Sequence, residues 1–115
     1  MEKIELAKDY AVIDSSRCVK VAKTADIPVG KMRVFIVEGN EYLIANVEGN
    51  FYAIDNRCSH LNASLSEGKL DGRVVVCPRH HASFDVITGK SQTLHVHDLN
   101  KHYVKVEGTD ILIEI

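Results

Sequence analysis

Short apolar runs separated by glycine-containing turns dominate the middle of this chain. Two of them, Met32 to Val37 (MRVFIV) and Glu41 to Val47 (EYLIANV), are rich in β-branched and aromatic residues and surround Glu38-Gly39-Asn40. Glu48-Gly49-Asn50 repeats that turn chemistry before a further run, Phe51 to Ile54 (FYAI). Because such turns join neighbouring antiparallel strands, the pattern predicts a three-strand meander.

The same pattern continues to the end of the chain. Arg73 to Val76 (RVVV) follows a turn and is typical of a fully buried strand, whereas His102 to Val106 (HYVKV) and Ile111 to Ile115 (ILIEI) flank a second hairpin turn. No segment keeps a 3.6-residue apolar period long enough for a major helix. The sequence therefore predicts an all-β fold, a small antiparallel sandwich or barrel.

Length, charge and cysteine content narrow the class of protein. The 115 residues suit a single domain over 1–115, and a formal net charge of −2 with no basic run argues against nucleic-acid binding. No apolar run approaches the roughly 20 residues of a membrane helix, and the first ten residues do not resemble a signal peptide. Three cysteines do not form a secreted disulfide framework. We expect a soluble cytoplasmic protein without a membrane anchor.

Two segments interrupt the strand pattern, residues 56–65 (NRCSHLNASL) and 77–83 (CPRHHAS). Each follows a predicted strand, so a β scaffold can present both as loops at one end. Each also pairs one cysteine with one histidine, as C-x-H and C-P-x-H, with sixteen residues between the two motifs. Thiolates and imidazoles are ligands for transition metals. The candidate ligands are Cys58, His60, Cys77 and His80.

Two metal centres suit this ligand set. In a [2Fe–2S] centre, replacing two thiolates by neutral imidazoles brings the oxidised cluster close to zero charge, which eases the entry of an electron. Two cysteines and two histidines are also a common zinc set, but zinc fingers usually place the cysteines in one knuckle and the histidines in the other. The mixed pairing favours iron and sulfide, with a structural zinc module as the alternative.

The motif as a whole resembles the Rieske ferredoxin family. That pattern is C-x-H, sixteen residues, C-P-x-H and then F-D-x-x-T-G, carried by Cys58, His60, Cys77, Pro78, His80, Phe84, Asp85, Thr88 and Gly89. The segment Leu65 to Gly72 (LSEGKLDG) is similar to that family as well. The resemblance implies one [2Fe–2S] cluster per chain, with the cysteines on a buried iron and the histidines on the iron nearer solvent.

The resemblance also implies a function. A protein of this kind passes single electrons from a reductase to a terminal oxidoreductase, and a Rieske-type oxygenase is the acceptor we expect. The alternative is a small subunit of a multisubunit reductase such as an assimilatory nitrite reductase. The sequence offers no convincing general base, nucleophile or substrate pocket, so we assign no catalytic residues and class the protein as a carrier rather than an enzyme.

Departures from the family pattern indicate a low reduction potential. In the high-potential members that this family resemblance brings in, each loop carries an extra cysteine and the two form a disulfide. Ala63 and Arg79 stand at those two places here. Ala82 and Phe84 stand where those members have serine and tyrosine hydroxyls that donate to the cluster sulfurs. Since such donors stabilise the reduced cluster, their loss should place the potential near the low end of the roughly −150 to +300 mV Rieske range.

Several further residues carry weaker expectations. His81 stands where the family usually has a small residue, often glycine, and we expect it to face solvent. The stretch Leu94 to Lys101 (LHVHDLNK) lacks the proline that many relatives place in a loop covering the cluster. We expect His95 and His97 to be exposed polar residues rather than a metal-binding pair, and Cys18 to be a small buried apolar residue.

Overall fold

The computed structural model describes residues 18–59, 62–79 and 81–115, and within these ranges the chain forms β-strands and 3₁₀ turns without an α-helix. The all-β prediction is confirmed. Across the same ranges, no helix has the length and apolar character needed to span a membrane. The 3₁₀ turns cover Thr24–Asp26 and Leu65–Glu67, and the strands are β1 (Cys18–Lys23), β2 (Met32–Val37), β3 (Asn40–Val47), β4 (Asn50–Asp55), β5 (Lys69–Asp71), β6 (Val74–Val76), β7 (Ser83–Asp85), β8 (Lys101–His102), β9 (Val104–Glu107) and β10 (Asp110–Glu114).

The strands form three sheets in which every pairing is antiparallel. Their strand orders are β1-β10-β9, β2-β3-β4-β8 and β5-β6-β7. The predicted meander is β2-β3-β4. Its hairpins are two-residue loops, Glu38-Gly39 and Glu48-Gly49, and all four residues have positive φ. This is the type I′ geometry that matches the twist of paired strands, and it places Asn40 and Asn50 at the first positions of the next strands.

Strand β3 lies between the two hydrophobic cores of the fold. Its residues 42–46 are all buried, because successive side chains point to opposite faces and both faces are covered. Tyr42 and Ile44 face what we call the terminal core, which is built from Val19, Ala22, Ile27, Phe35, Val37, Tyr42, Ile44, Ala53, Ile111 and Ile113. Leu43 and Ala45 face the cysteine core, which is built from Leu43, Ala45, Ile54, Cys58, Leu65, Val75, Cys77, Ala82, Phe84, Val86 and Leu99.

One predicted strand is wrong in its extent. The run His102 to Val106 divides at Tyr103, where the chain leaves the four-stranded sheet and joins another. Strand β8 pairs with β4, whereas β9 pairs with β10. Alternation along a strand reports which side chains are buried but not which strand is the partner, so the change of sheet leaves no mark on the pattern.

The strand predicted over Arg73 to Val76 is shorter and less buried than expected. It begins at Val74, and Val75 is its one fully buried residue, since only one face packs on the cysteine core. The pattern also does not indicate β1, β5 or β7. Strands β5 and β7 have three residues each, too few to show a two-residue period, and β1 shifts register between Lys20 and Ala22.

Candidate metal centre

Two of the four candidate ligands meet inside the protein. Cys58 and Cys77 are each 2% exposed, belong to the same buried cluster and do not form a disulfide. Cys58 lies in the first loop, residues 56–65, which follows β4 and ends at the first residue of the second 3₁₀ turn. Cys77 lies in the second loop, residues 77–83, which follows β6 and ends at the first residue of β7. The other two candidates, His60 and His80, lie outside the described residues.

Each of the two loops contains the same backbone hydrogen bond, from a cysteine N–H to the carbonyl five residues later. In the first, the N–H of Cys58 donates to the carbonyl of Ala63 at 2.8 Å, and in the second, the N–H of Cys77 donates to the carbonyl of Ala82 at 2.7 Å. His81, four residues after Cys77, has a φ of 58°, a left-handed conformation that glycine adopts most readily. His81 is exposed, as predicted. The backbone N–H of each cysteine is therefore hydrogen-bonded within its own loop in the same way.

Burial governs the ionisation of the Cys77 thiol. It raises the pKa of Cys77, and the neighbouring Cys58 sulfur adds to that rise, whereas the backbone N–H and the positive charge of Arg79 oppose it. The buried Cys77 thiol is therefore held as a thiolate only when a cation lies beside it. Two thiolates at one buried point are the donor set for one iron of a [2Fe–2S] cluster, so the residues present fit that group. In the described ranges, no three residues of metal-binding type come together.

The sequence gives no signal for Glu41, yet this residue supports the first loop from β3. Its Oε1 accepts hydrogen bonds from Asn56 Nδ2 at 2.8 Å and Arg57 Nε at 3.0 Å, and its Oε2 accepts one from Arg57 Nη2 at 3.0 Å. The guanidinium of Arg57 and the amide of Asn56 hold the pKa of Glu41 below its usual range. Glu41 is a charged residue on a strand, and only the fold reveals its partners.

Asn56 is a buried polar residue at the start of the first loop. Its Nδ2 also donates to Ser64 Oγ at 2.9 Å, and its Oδ1 accepts the backbone N–H of Ser66 at 3.0 Å. Its own carbonyl accepts the N–H of Leu65 at 2.8 Å. Because a buried amide is costly unless its donors and acceptors are paired, these contacts fix Asn56 in one orientation.

A third segment lies against the first loop. The hydroxyl of Ser59 donates to the carbonyl of His97 at 2.7 Å, and Val96 packs on the cysteine core. The stretch Leu94 to Lys101 therefore contacts the first loop without the proline of many relatives. His95 and His97 are exposed, as predicted, and Leu94 is 82% exposed.

The F-D-x-x-T-G residues build a structural turn. The Oδ1 of Asp85 accepts the N–H groups of Ile87 and Thr88, and its Oδ2 accepts Arg73 Nε at 2.8 Å. Gly89 has a φ of 81°, and a Cβ placed on it would lie 2.2 Å from the carbonyl oxygen of Leu99. These residues fix the backbone turn that follows β7 and leads towards the third segment, Leu94 to Lys101.

Some predictions on single residues fall differently. Ala82 and Phe84 are buried in the cysteine core, and neither carries a hydroxyl group. Cys18, predicted as buried, is only half-buried, because it opens β1 at the side of its sheet. Cys58 and Cys77 are the buried cysteines among the residues that the structure describes.

Comparison with protein families shows the family of the chain and its cofactor. A model of the Rieske [2Fe–2S] domain matches residues 17–112. The chain belongs to this family. Its cofactor is a [2Fe–2S] cluster, as the sequence predicts, and the zinc alternative is not supported.

Ferredoxins of oxygenase systems are among the most similar proteins. The ferredoxin component of a naphthalene 1,2-dioxygenase system from Pseudomonas putida is 39% identical over 98 residues, which cover 84% of this chain and 94% of the relative. The ferredoxin of carbazole 1,9a-dioxygenase from Nocardioides aromaticivorans IC177 superposes with a TM-score of 0.80 at 34% identity, covering 84% of this chain and 95% of that one. These are electron carriers rather than enzymes, which confirms the predicted class of this Rieske protein.

A third comparison comes from a complex. A chain in the structure of the reduced oxygenase and oxidized ferredoxin of carbazole 1,9a-dioxygenase superposes with a TM-score of 0.79 at 32% identity. It covers 84% of this chain and 92% of that one. The Rieske fold described above thus extends over nearly the whole of its counterpart.

Proposed function

We propose that this Rieske protein carries single electrons from a reductase to the terminal oxygenase of a Rieske-type oxygenase system. The observation that carries the proposal is the buried, unlinked pair of Cys58 and Cys77 on two loops with the same turn. Support for the acceptor comes from the relatives, which are named as ferredoxin components of dioxygenase systems. The cluster supplies reversible one-electron chemistry when it is bound.

The proposed ligands are Cys58 and His60 from the first loop and Cys77 and His80 from the second. Each loop then contributes one thiolate and one imidazole. The cysteine core excludes water from the thiolates, since both cysteines and their neighbours Ala82 and Phe84 are buried in it. Because those two neighbours offer no hydroxyl donor, we propose a low reduction potential for this carrier.

The proposal includes one domain over residues 1–115 and a cytoplasmic location. The family match over residues 17–112 supports a single domain. Fractionation of cells that produce the protein should find it with cytoplasmic markers, and recovery with periplasmic or membrane markers would contradict this location.

Stopped-flow spectroscopy tests the proposed electron transfer. The protein, reduced by one electron, is mixed anaerobically with substrate-bound terminal oxygenases from the naphthalene and carbazole systems. We expect the visible bands of the oxidised cluster to return within the time of an oxygenase turnover. A protein that stays reduced with both oxygenases, while a ferredoxin of either system is reoxidised under the same conditions, would contradict the proposed acceptor class.

A further inference from the structure

The two loops share a turn but differ in what holds them. The second loop sits at the end of a strand ladder, since Val76 of β6 pairs directly with Ser83 of β7 on either side of it. Among the described residues of the first loop no such ladder forms, and an isolated bridge between Arg57 and Ser64 joins its ends. Backbone pairing alone therefore fixes the second loop more firmly than the first.

Side chains supply the missing support in the first loop. Arg57 binds the carboxylate of Glu41 through two nitrogens, and its third, Nη1, donates to the carbonyl of Asn62 at 3.1 Å. Asn62 has a φ of 58° and its N–H donates to the carbonyl of Cys58 at 2.7 Å. A continuous chain of contacts thus runs from Glu41 through Arg57 and Asn62 to the turn that carries Cys58.

The first residue in this chain of contacts, Glu41, lies on a well-supported strand. Glu41 lies on β3, which is paired on both sides and packed on both faces. Its carboxylate accepts three hydrogen bonds, two from Arg57 and one from the buried Asn56. Hydrogen bonds to a charged acceptor are shorter and stronger than neutral ones, and a two-nitrogen contact with a carboxylate fixes direction as well as distance.

We infer that Glu41 is a positioning residue for the cluster ligands of the first loop, acting through Arg57 and Asn56. The inference rests on the proposed ligands Cys58 and His60. Glu41 also balances the positive charge of Arg57, which immediately precedes Cys58 in the chain. It therefore has two separable effects, one on loop geometry and one on the charge beside the cluster.

Glutamine substitutions separate these effects, because the two partners carry opposite charges but support the same loop. Glu41→Gln leaves Arg57 positive and unbalanced, which stabilises the reduced cluster, so the reduction potential should rise. Arg57→Gln leaves Glu41 negative and unbalanced, so the potential should fall. The double variant should return close to the wild-type potential. All three variants loosen the loop, so each should lose its cluster about fivefold faster, as expected from the loss of one net hydrogen bond.

A matched variant controls for the loss of a surface charge. Glu107→Gln removes the partner of Lys105 on β9, in a sheet that packs on the terminal core. It should leave the rate of cluster loss and the g values of the reduced protein unchanged. In Glu41→Gln, the g values should shift or broaden, because the ligand geometry of one loop has changed.

The experiment measures potential, rate of cluster loss, EPR spectrum and amide exchange on the cluster-loaded proteins. Exchange at the N–H groups of Cys58 and Asn62 should accelerate in Glu41→Gln while exchange in β10 stays the same. Opposite shifts of potential with wild-type rates of cluster loss would reduce Glu41 to a charge effect and overturn the positioning role. Equal acceleration in β10 would overturn it too, since the effect would then be general unfolding. Failure of the wild-type protein to hold a cluster would instead refute the proposed ligands.

Discussion

Asn62 and His81 hold the same backbone conformation at equivalent places, each four residues after a buried cysteine and each with a φ of 58°. Neither is glycine, although glycine adopts this conformation at the lowest cost. Asparagine and histidine are among the residues that tolerate it best. The two loops have therefore reached one turn with different side chains, and the conformation rather than the side chain is what they share.

Substitutions at His81 test this backbone requirement. His81→Val should lower the free energy of unfolding by about 1–2 kcal/mol, because a β-branched side chain clashes with the backbone in the left-handed region. His81→Asn should be close to neutral, since Asn62 already serves in the first loop. Urea denaturation of both variants gives the values. His97→Val is the control, as His97 is exposed and has no positive φ, and an equal loss there would contradict the explanation.

Gly89 should be far less tolerant than Gly108, although both have positive φ. A Cβ at Gly89 would lie 2.2 Å from the carbonyl oxygen of Leu99, whereas a Cβ at Gly108 has no heavy atom within 4 Å. Gly89→Ala should cost about 3 kcal/mol, combining the left-handed strain with the backbone clash, and Gly108→Ala about 1 kcal/mol. Thermal unfolding of the two variants measures the difference. Equal losses would mean that the turn relaxes around the added methyl group.

The carboxylate of Asp85 should make the free energy of unfolding depend on pH in the acid range. Burial alone would raise the pKa of Asp85, but the hydrogen bond from Arg73 and the N–H groups of Ile87 and Thr88 together lower it below its ordinary value of 3.8. A lowered pKa means that Asp85 stabilises the fold above pH 3.8 and that this contribution is lost as the pH falls through the folded pKa.

Comparison with Asp85→Asn isolates that contribution. The variant should be less stable than the wild type at neutral pH, and the difference in the free energy of unfolding should narrow as the pH falls below 3.8. Urea denaturation at a series of pH values measures the gap, and contributions from other carboxylates cancel between the two proteins. A gap that does not change with pH would show that the charge of Asp85 is not what stabilises the turn.

New hydroxyl groups in the cysteine core should raise the reduction potential. Ala82→Ser and Phe84→Tyr each place a donor in the core that contains both cysteines, and a donor to the cluster sulfurs favours the reduced state. We expect each substitution to raise the reduction potential by about 60 mV, which corresponds to a tenfold change in a one-electron equilibrium. Protein-film voltammetry measures it. Ala53→Ser, in the terminal core, should leave the potential unchanged, and equal shifts in all three variants would contradict a local effect.

The sequence predicts the meander, its turns and the two loops, because each depends on residues close together in the chain. Glu-Gly-Asn turns and apolar alternation are local signals, and so are the C-x-H and C-P-x-H motifs. The division of the run around Tyr103 between two sheets depends on which strand edges are unpaired, which no local pattern records. Glu41 was missed for the same reason, since its bonds to Asn56 and Arg57 join residues that are distant in sequence.

An EPR spectrum of the dithionite-reduced protein, with iron and sulfide analysis of the same sample, tests the cluster assignment most directly. The account predicts about two irons and two sulfides per chain, and an average g value below that of an all-thiolate cluster, because two imidazoles replace two thiolates. Colourless protein with stoichiometric zinc would contradict the cluster, and an average g value equal to that of an all-cysteine ferredoxin would contradict ligation by His60 and His80.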